Sequence, residues 1–188
     1  MPLLREGVRL HFKLYLMPLP SPRSGFVQHW NQTMPTEIER KFLVINDSWR
    51  QQASKGVHYQ QGYFPHAETC SVRIRIAGDK ATLNIKGATL HVTRDEYEYP
   101  IPLNDAKEML ARFCERPFIE KTRYLVKNGA HLWEIDVFEG ENAGLIVAEI
   151  ELSREEEEFE IPSWAGQDVS NEARYYNVCL RQHPYKDW

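Results

Sequence analysis

A chain of 188 residues has room for one domain and can bury roughly 70% of its unfolded surface. Its formal net charge of -4, with 27% charged residues, leaves no basic excess for non-specific nucleic-acid binding, so any anion site has to be local. Cys70, Cys114 and Cys179 lie far apart and never form a C-x-x-C pair; they point to neither a disulfide framework nor a structural zinc site, and a reducing, cytoplasmic setting is expected.

Residues 1–33 differ from the rest. The apolar residues Leu3, Leu4, Val8, Leu10, Phe12, Leu14, Tyr15, Leu16 and Met17 are interrupted by Arg5, Glu6, Arg9, His11 and Lys13. No run reaches the roughly 18 apolar residues of a membrane helix, and no membrane association is expected. Pro18, Pro20, Ser21, Pro22, Ser24 and Gly25 then read as a linker. The spacing predicts a disordered or loosely attached leader at 1–33, a folded domain at 34–183 and a short tail at 184–188.

From Met34 onward strands dominate. Residues 37–45 form the first, with Glu37, Glu39 and Lys41 on one face and Ile38, Phe42 and Val44 between them. Two carboxylates and an ammonium side by side can hold a divalent cation and a phosphate together, although an ordinary solvated strand face has the same spacing. Asn46, Asp47 and Ser48 end the strand and start a short helix at Trp49. Val57 to Phe64, closed by Pro65, is the second strand. Residues 71–76 and 81–86 alternate about a Gly78-Asp79 turn and predict a hairpin. Residues 94–99 alternate again before Pro100. Asn104 to Glu115 reads as a helix, N-capped by Asn104, with Ala106, Met109, Leu110 and Phe113 on one side. Strands at 121–127 and 132–138 join at Asn128-Gly129, and Leu145 to Leu152 follows. Glu155 to Glu158 is read as a solvated turn. Ser170 to Glu172 resembles a helix start leading into Tyr175 and Leu180.

The alternation is most informative when the strands are taken together. Glu37, Glu39, Lys41, Arg73, Arg75, Lys86, Arg94, Glu96, Glu98, Lys121, Arg123, Glu134, Asp136, Glu149 and Glu151 all fall in one phase, and the other phase is mostly aliphatic and aromatic. A sandwich with a charged outer surface accounts for each strand singly. The alternative is a closed antiparallel barrel with the charged phase inside and helices over its apolar outside. Seven basic and eight acidic side chains in one interior require mutual pairing, or a centre filled by cations and a polyanion. No nucleotide-binding glycine loop, serine-nucleophile elbow or H-E-x-x-H is present, and carboxylates without histidine favour a hard ion, Mg2+ or Mn2+.

Glu37-Ile38-Glu39-Arg40-Lys41-Phe42 resembles the E-x-E-x-K signature of the triphosphate tunnel metalloenzymes, the CYTH superfamily. The likeness continues through Arg73-Ile74-Arg75, Lys86-Gly87, Arg94 with Glu96 and Glu98, Lys121-Thr122-Arg123, Glu134-Ile135-Asp136, Glu149-Ile150-Glu151 and 171–175, over about 34–182. It implies an α+β, mainly antiparallel β fold: an eight-stranded closed tunnel barrel with a charged interior and flanking helices. It also implies an inorganic triphosphatase that cleaves tripolyphosphate with Mg2+ or Mn2+, two ions per site. Class IV adenylyl cyclases and thiamine or nucleoside triphosphatases share the fold and stay open as alternatives, as does a non-catalytic polyphosphate binder; base recognition would need a residue such as Trp49, Trp133 or Trp164 at a tunnel mouth. By the same resemblance Glu37, Glu39 and Glu151 are ligands of the metal that touches the phosphates, and Asp136 and Glu149 partner a second metal and the attacking water. Lys41, Arg73, Arg75, Lys86, Arg94, Arg123 and Arg174 form the phosphate cradle, with Lys121 a weaker member. Proton transfer falls to Lys86 and Tyr63, although Tyr63 reads equally well as a barrel-packing residue. Pairing into a homodimer through exposed barrel surface stays open.

Overall fold

The computed structural model describes residues 36–65, 69–87 and 93–188; the expected leader at 1–33 lies outside them. The strands are β1 (Thr36–Val44), β2 (Val57–Tyr63), β3 (Cys70–Ala77), β4 (Lys80–Gly87), β5 (Thr93–Pro100), β6 (Glu115–Asn128), β7 (His131–Phe138), β8 (Ile146–Glu151) and β9 (Ala165–Asp168). Among the described residues two α-helices join them, α1 (Leu103–Phe113) and α2 (Asn177–Gln182). Eight strands run in the order β5-β4-β3-β2-β6-β7-β8-β1, and β5 pairs back to β1, which brings the edges of the sheet together into the expected antiparallel ring. β1 shares its second edge: Thr36–Ile38 pair with β5, while Phe42 and Val44 meet β9.

The hairpin turns follow their sequence signals. Ala77 pairs with Lys80 and Asn128 with His131, so Gly78 and Gly129 each open a two-residue loop at positive φ, where a side chain would be strained. β6 is longer than the 121–127 stretch because it runs through Pro117. The β2–β6 register shifts between Gln61 and Tyr63, near that proline, where the ladder is already irregular. α1 begins at Leu103 after Pro102, and no side chain caps it.

Outward-facing apolar residues are covered on two sides. Ala106 and Leu110 of α1 pack on Ile74 and Ala81 of the β3–β4 hairpin, and each large aliphatic buried there stabilises the fold by roughly 1.5–3 kcal/mol. Gly62 makes this close approach possible, since a Cβ there would stand 2.7 Å from Cys114 Cβ and 2.8 Å from Leu110 Cδ2. On the other side Phe42, Trp133, Ile135, Ala148 and Ile150 meet Trp49, Leu152, Trp164 and Ala165, with the Trp133 ring 5.3 Å from Trp164 and 5.5 Å from Phe42.

The inward phase is not charged along its whole length. Beyond Lys41, Lys121, Asp136 and Gln61 it continues as Leu43, Ile119, Phe138, Val147 and Tyr63. These pack with Val169, Tyr175 and Leu180 into an apolar plug. The β9 segment and α2 thus contribute to stopping one end of the tunnel.

Candidate active site

Strands β6, β7, β8 and β1 form one wall of the tunnel, and its charges neutralise one another. Register sets Lys41 opposite Glu149 and Arg123 opposite Asp136. Lys41 ion-pairs with Glu149 and Lys121 with Asp136. Arg123 donates from Nε and Nη2 to the two oxygens of Asp136, each at 2.6 Å, from Nη2 to Glu149 at 2.6 Å, and also to Glu134. Burial pushes the Asp136 and Glu149 carboxyls up, but Arg123 and Lys121 around Asp136, and Lys41, Arg123 and Lys121 around Glu149, outweigh it and hold both below the usual carboxylate range. Burial opposes the charge on Lys41 too, and Glu149 with Glu39 behind it holds the ammonium above its ordinary value. Lys121 differs: burial and the neighbouring Arg123 together outweigh Asp136 and bring it down to about 8.

The opposite wall, β2 to β5, is looser. Arg73 Nη2 stands 3.6 Å from Glu96 and Arg75 Nη1 3.8 Å from Glu98, both beyond hydrogen-bond length. Lys86 Nζ lies 2.9 Å from Glu96, which also accepts from Asn84 at 2.9 Å. Arg73 is 5% exposed, and among the described residues its Nε and Nη2 have no hydrogen-bond partner. Arg75 is half-buried beside Arg73 and Arg123, and its desolvation with that repulsion lowers its pKa. The Tyr59 ring stands between two of these cations, 5.5 Å from Arg75 and 5.3 Å from Arg123.

Glu39 and Glu151 face each other across β1 and β8 toward the more exposed part of the tunnel. Glu37 is two residues from Glu39 and pairs through the backbone with Arg94; the side chains of Glu37 and Arg94 lie outside the described residues. Among the described residues no group of three or more His, Cys, Asp or Glu side chains is gathered as a metal site. Tyr63 sits in the apolar plug. Arg174 is at the C-terminal side of that plug, hydrogen-bonded to Glu172 at 3.2 Å and Tyr175 at 3.0 Å, with its guanidinium 4.7 Å from the Trp188 ring.

Two features of the sequence read differently in the fold. Trp49, Trp133 and Trp164 are buried in the outer apolar layer, so none of them is placed to receive a base at a tunnel mouth. Within the acidic run at 155–158, Glu157 accepts from Ser153 N and Oγ, both at 2.6 Å, and lies 2.9 Å from His131 Nε2. Gln61 was not singled out by its sequence, because charge marked the inner phase and Gln61 carries none. The signal available was its parity with Tyr59 and Tyr63.

An antiparallel ring of strands with a charged inner phase, stopped at one end by an apolar plug, defines the class of charged-interior tunnel proteins. The chain belongs to the CYTH domain family, whose model matches residues 35–180. It is 45% identical over 155 residues to an inorganic triphosphatase of Acetivibrio thermocellus, covering 82% of this chain and 99% of that protein. It is 34% identical over 149 residues to an inorganic triphosphatase of Nitrosomonas europaea, covering 77% and 96%. Among solved structures, the inorganic triphosphatase NE1496 superposes with a TM-score of 0.57 at 33% identity, over 80% of this chain and 97% of that one. A putative adenylyl cyclase from Hippeastrum, at 16% identity and a TM-score of 0.52 over 63% and 80%, shares the fold alone.

Proposed function

We propose that this protein is a metal-dependent hydrolase that cleaves the terminal phosphoanhydride of inorganic tripolyphosphate, giving pyrophosphate and phosphate. The observation that carries this is the β2–β5 wall, where, among the described residues, the buried Arg73 guanidinium keeps Nε and Nη2 without an acceptor. A linear triphosphate would supply acceptor oxygens where Arg73 lacks them and negative charge beside Arg75, with Lys41, Lys86 and Arg123 around it and Arg94 completing the cradle by the family resemblance. The relatives named inorganic triphosphatase support the same substrate.

Glu39 and Glu151, opposed on β1 and β8, with Glu37 on the same strand face, offer an oxygen-only donor set that fits a hard divalent ion, Mg2+ or Mn2+. Bound there, the ion would offset phosphate charge and leave the guanidiniums less to neutralise. A second ion at Asp136 and Glu149 would have to displace Lys121, Arg123 or Lys41 from carboxylates they already neutralise. We therefore assign Asp136 to ordering the cations and Glu149, between Lys41 and Arg123, to orienting the attacking water. We assign proton handling to Lys86, paired with Glu96, with Tyr63 at the plug as the weaker partner, and Lys121, paired with Asp136, is the other lysine to be weighed for the role. Replacing each lysine by Met and measuring kcat separates them. Arg174 joins the cradle only if it leaves Glu172 and Trp188.

The test is phosphate release from tripolyphosphate, pyrophosphate, ATP and thiamine triphosphate with Mg2+, Mn2+ or excess chelator. Chelator-sensitive release from tripolyphosphate well above the others is expected. ATP turnover to cyclic AMP, or silence on all four, would overturn the assignment.

A further inference from the structure

Gln61 is the uncharged side chain at the centre of the looser wall. Gly62 must face α1, so alternation along β2 points Gln61 and Tyr63 to the tunnel side. Gln61 is 0% exposed, and its Oε1 accepts a hydrogen bond from Arg75 Nε at 3.3 Å. Arginine only donates, so this bond fixes which way the amide is turned: the oxygen meets Arg75 and the NH2 is left for another acceptor. Among the described residues Gln61 Nε2 has none, and neither do Arg73 Nε and Nη2.

These orphaned donors are neighbours. The β2–β3 ladder pairs Gln61 with Arg75 and Tyr63 with Arg73, which puts Arg73 on the diagonal from Gln61 on the same face. A buried donor left unsatisfied is costly, and folded proteins seldom leave several together. What satisfies all three at once is a group with several acceptor oxygens and no donor. A fully ionised phosphate is such a group, and a carboxylate offers fewer oxygens.

A neutral donor suits this position. Arg73, Arg75 and Arg123 already crowd one another, and a fourth cation would add repulsion, whereas an amide adds a hydrogen bond without charge.

We propose that Gln61 is a substrate-contacting residue: its side-chain NH2 donates to an oxygen of the phosphate group that Arg73 grips, while its carbonyl oxygen holds Arg75 in line. This deepens the triphosphatase assignment and rests on it.

The test uses the full chain, with tripolyphosphate titrated calorimetrically in excess chelator and thermal unfolding followed in parallel. Gln61→Met keeps the length and removes the donor, and it is expected to raise Kd about ten- to hundredfold with Tm unchanged. Gln61→Glu keeps an acceptor for Arg75 but turns an oxygen toward the phosphate, and a larger rise is expected. Binding by Gln61→Met within about twofold of wild type, whether or not Tm falls, would overturn the proposal. If both variants fail to fold, the Gln61 side-chain amide signal of 15N-labelled wild type decides: a downfield shift with tripolyphosphate supports the contact and an unmoved signal rejects it. Wild type that does not bind tripolyphosphate would instead overturn the functional assignment beneath it.

Discussion

The two walls of the tunnel carry similar side chains and hold them in opposite states. On β6–β7–β8–β1 each of the buried cations Lys41, Lys121 and Arg123 has a carboxylate within contact, and Arg123 alone reaches Glu134, Asp136 and Glu149. On β2–β5 the arginines stand 3.6 and 3.8 Å from their carboxylates, and donors are left over. A buried cation whose partner is fixed contributes to the fold, because removing the partner leaves an uncompensated charge. A buried cation whose partner is distant contributes less to the fold, and under the proposed function it is the one an outside anion would meet. The first wall maintains the shape of the tunnel; in the function proposed above, the second supplies its attraction.

Asp136→Asn would test that contrast most severely. It leaves Lys121 and Arg123 short of an anion at a fully buried site, and stability is expected to fall by about 3–5 kcal/mol in denaturant titration. Loss of less than 1 kcal/mol would mean that the wall is not self-supporting. Glu151→Gln, on the rung where Glu39 and Glu151 oppose each other, is expected to leave the fold intact and cut metal-dependent kcat by roughly 10²–10³-fold. Near-normal turnover would remove Glu151 from the metal site. Arg73→Met should show the reverse of Asp136→Asn, with a Tm no lower than wild type and tripolyphosphate binding weakened roughly ten- to hundredfold. An unchanged Kd would take Arg73 out of the cradle. The smallest effect lies outside the tunnel. Hydrogen bonds from Ser153 and then His131 bring Glu157 down to about 2, so its contribution is full above the unfolded value near 4.5 and is lost as pH falls from there through about 2. Glu157→Gln should lower the unfolding midpoint slightly at pH 6, with the difference from wild type shrinking toward pH 2 and closing below it.

Much of this was legible because a strand face repeats every two residues: charges at Glu37, Arg73, Arg123 and Glu149 each mark a phase, and the phases agree. Hidden were features that break the pattern or come from afar. β9 is only Ala165–Asp168, too short and polar to alternate visibly. The plug was hidden because Leu43, Phe138 and Val147 look, in sequence, like ordinary apolar positions. The distinction between the walls was invisible, since Arg73 and Arg123 have the same side chain and differ only in how near a carboxylate stands. The stack of Arg174 on Trp188 joins residues that no local spacing connects.

The pairing of β1 with β8 has a consequence for synthesis. Lys41 meets Glu149 across 108 residues, whereas β3–β4, β6–β7 and β7–β8 can zip locally. At roughly 5–20 residues per second on the ribosome, β1 waits about 5–20 seconds for that partner. Through that interval it is a strand with open edges, the kind of segment that aggregates. Glu37, Glu39, Arg40 and Lys41 make it a poor template for stray pairing. Glu39 and Lys41, which later line the tunnel, and Arg40, which later pairs with Asp168 outside it, thus act first as gatekeepers of the nascent chain.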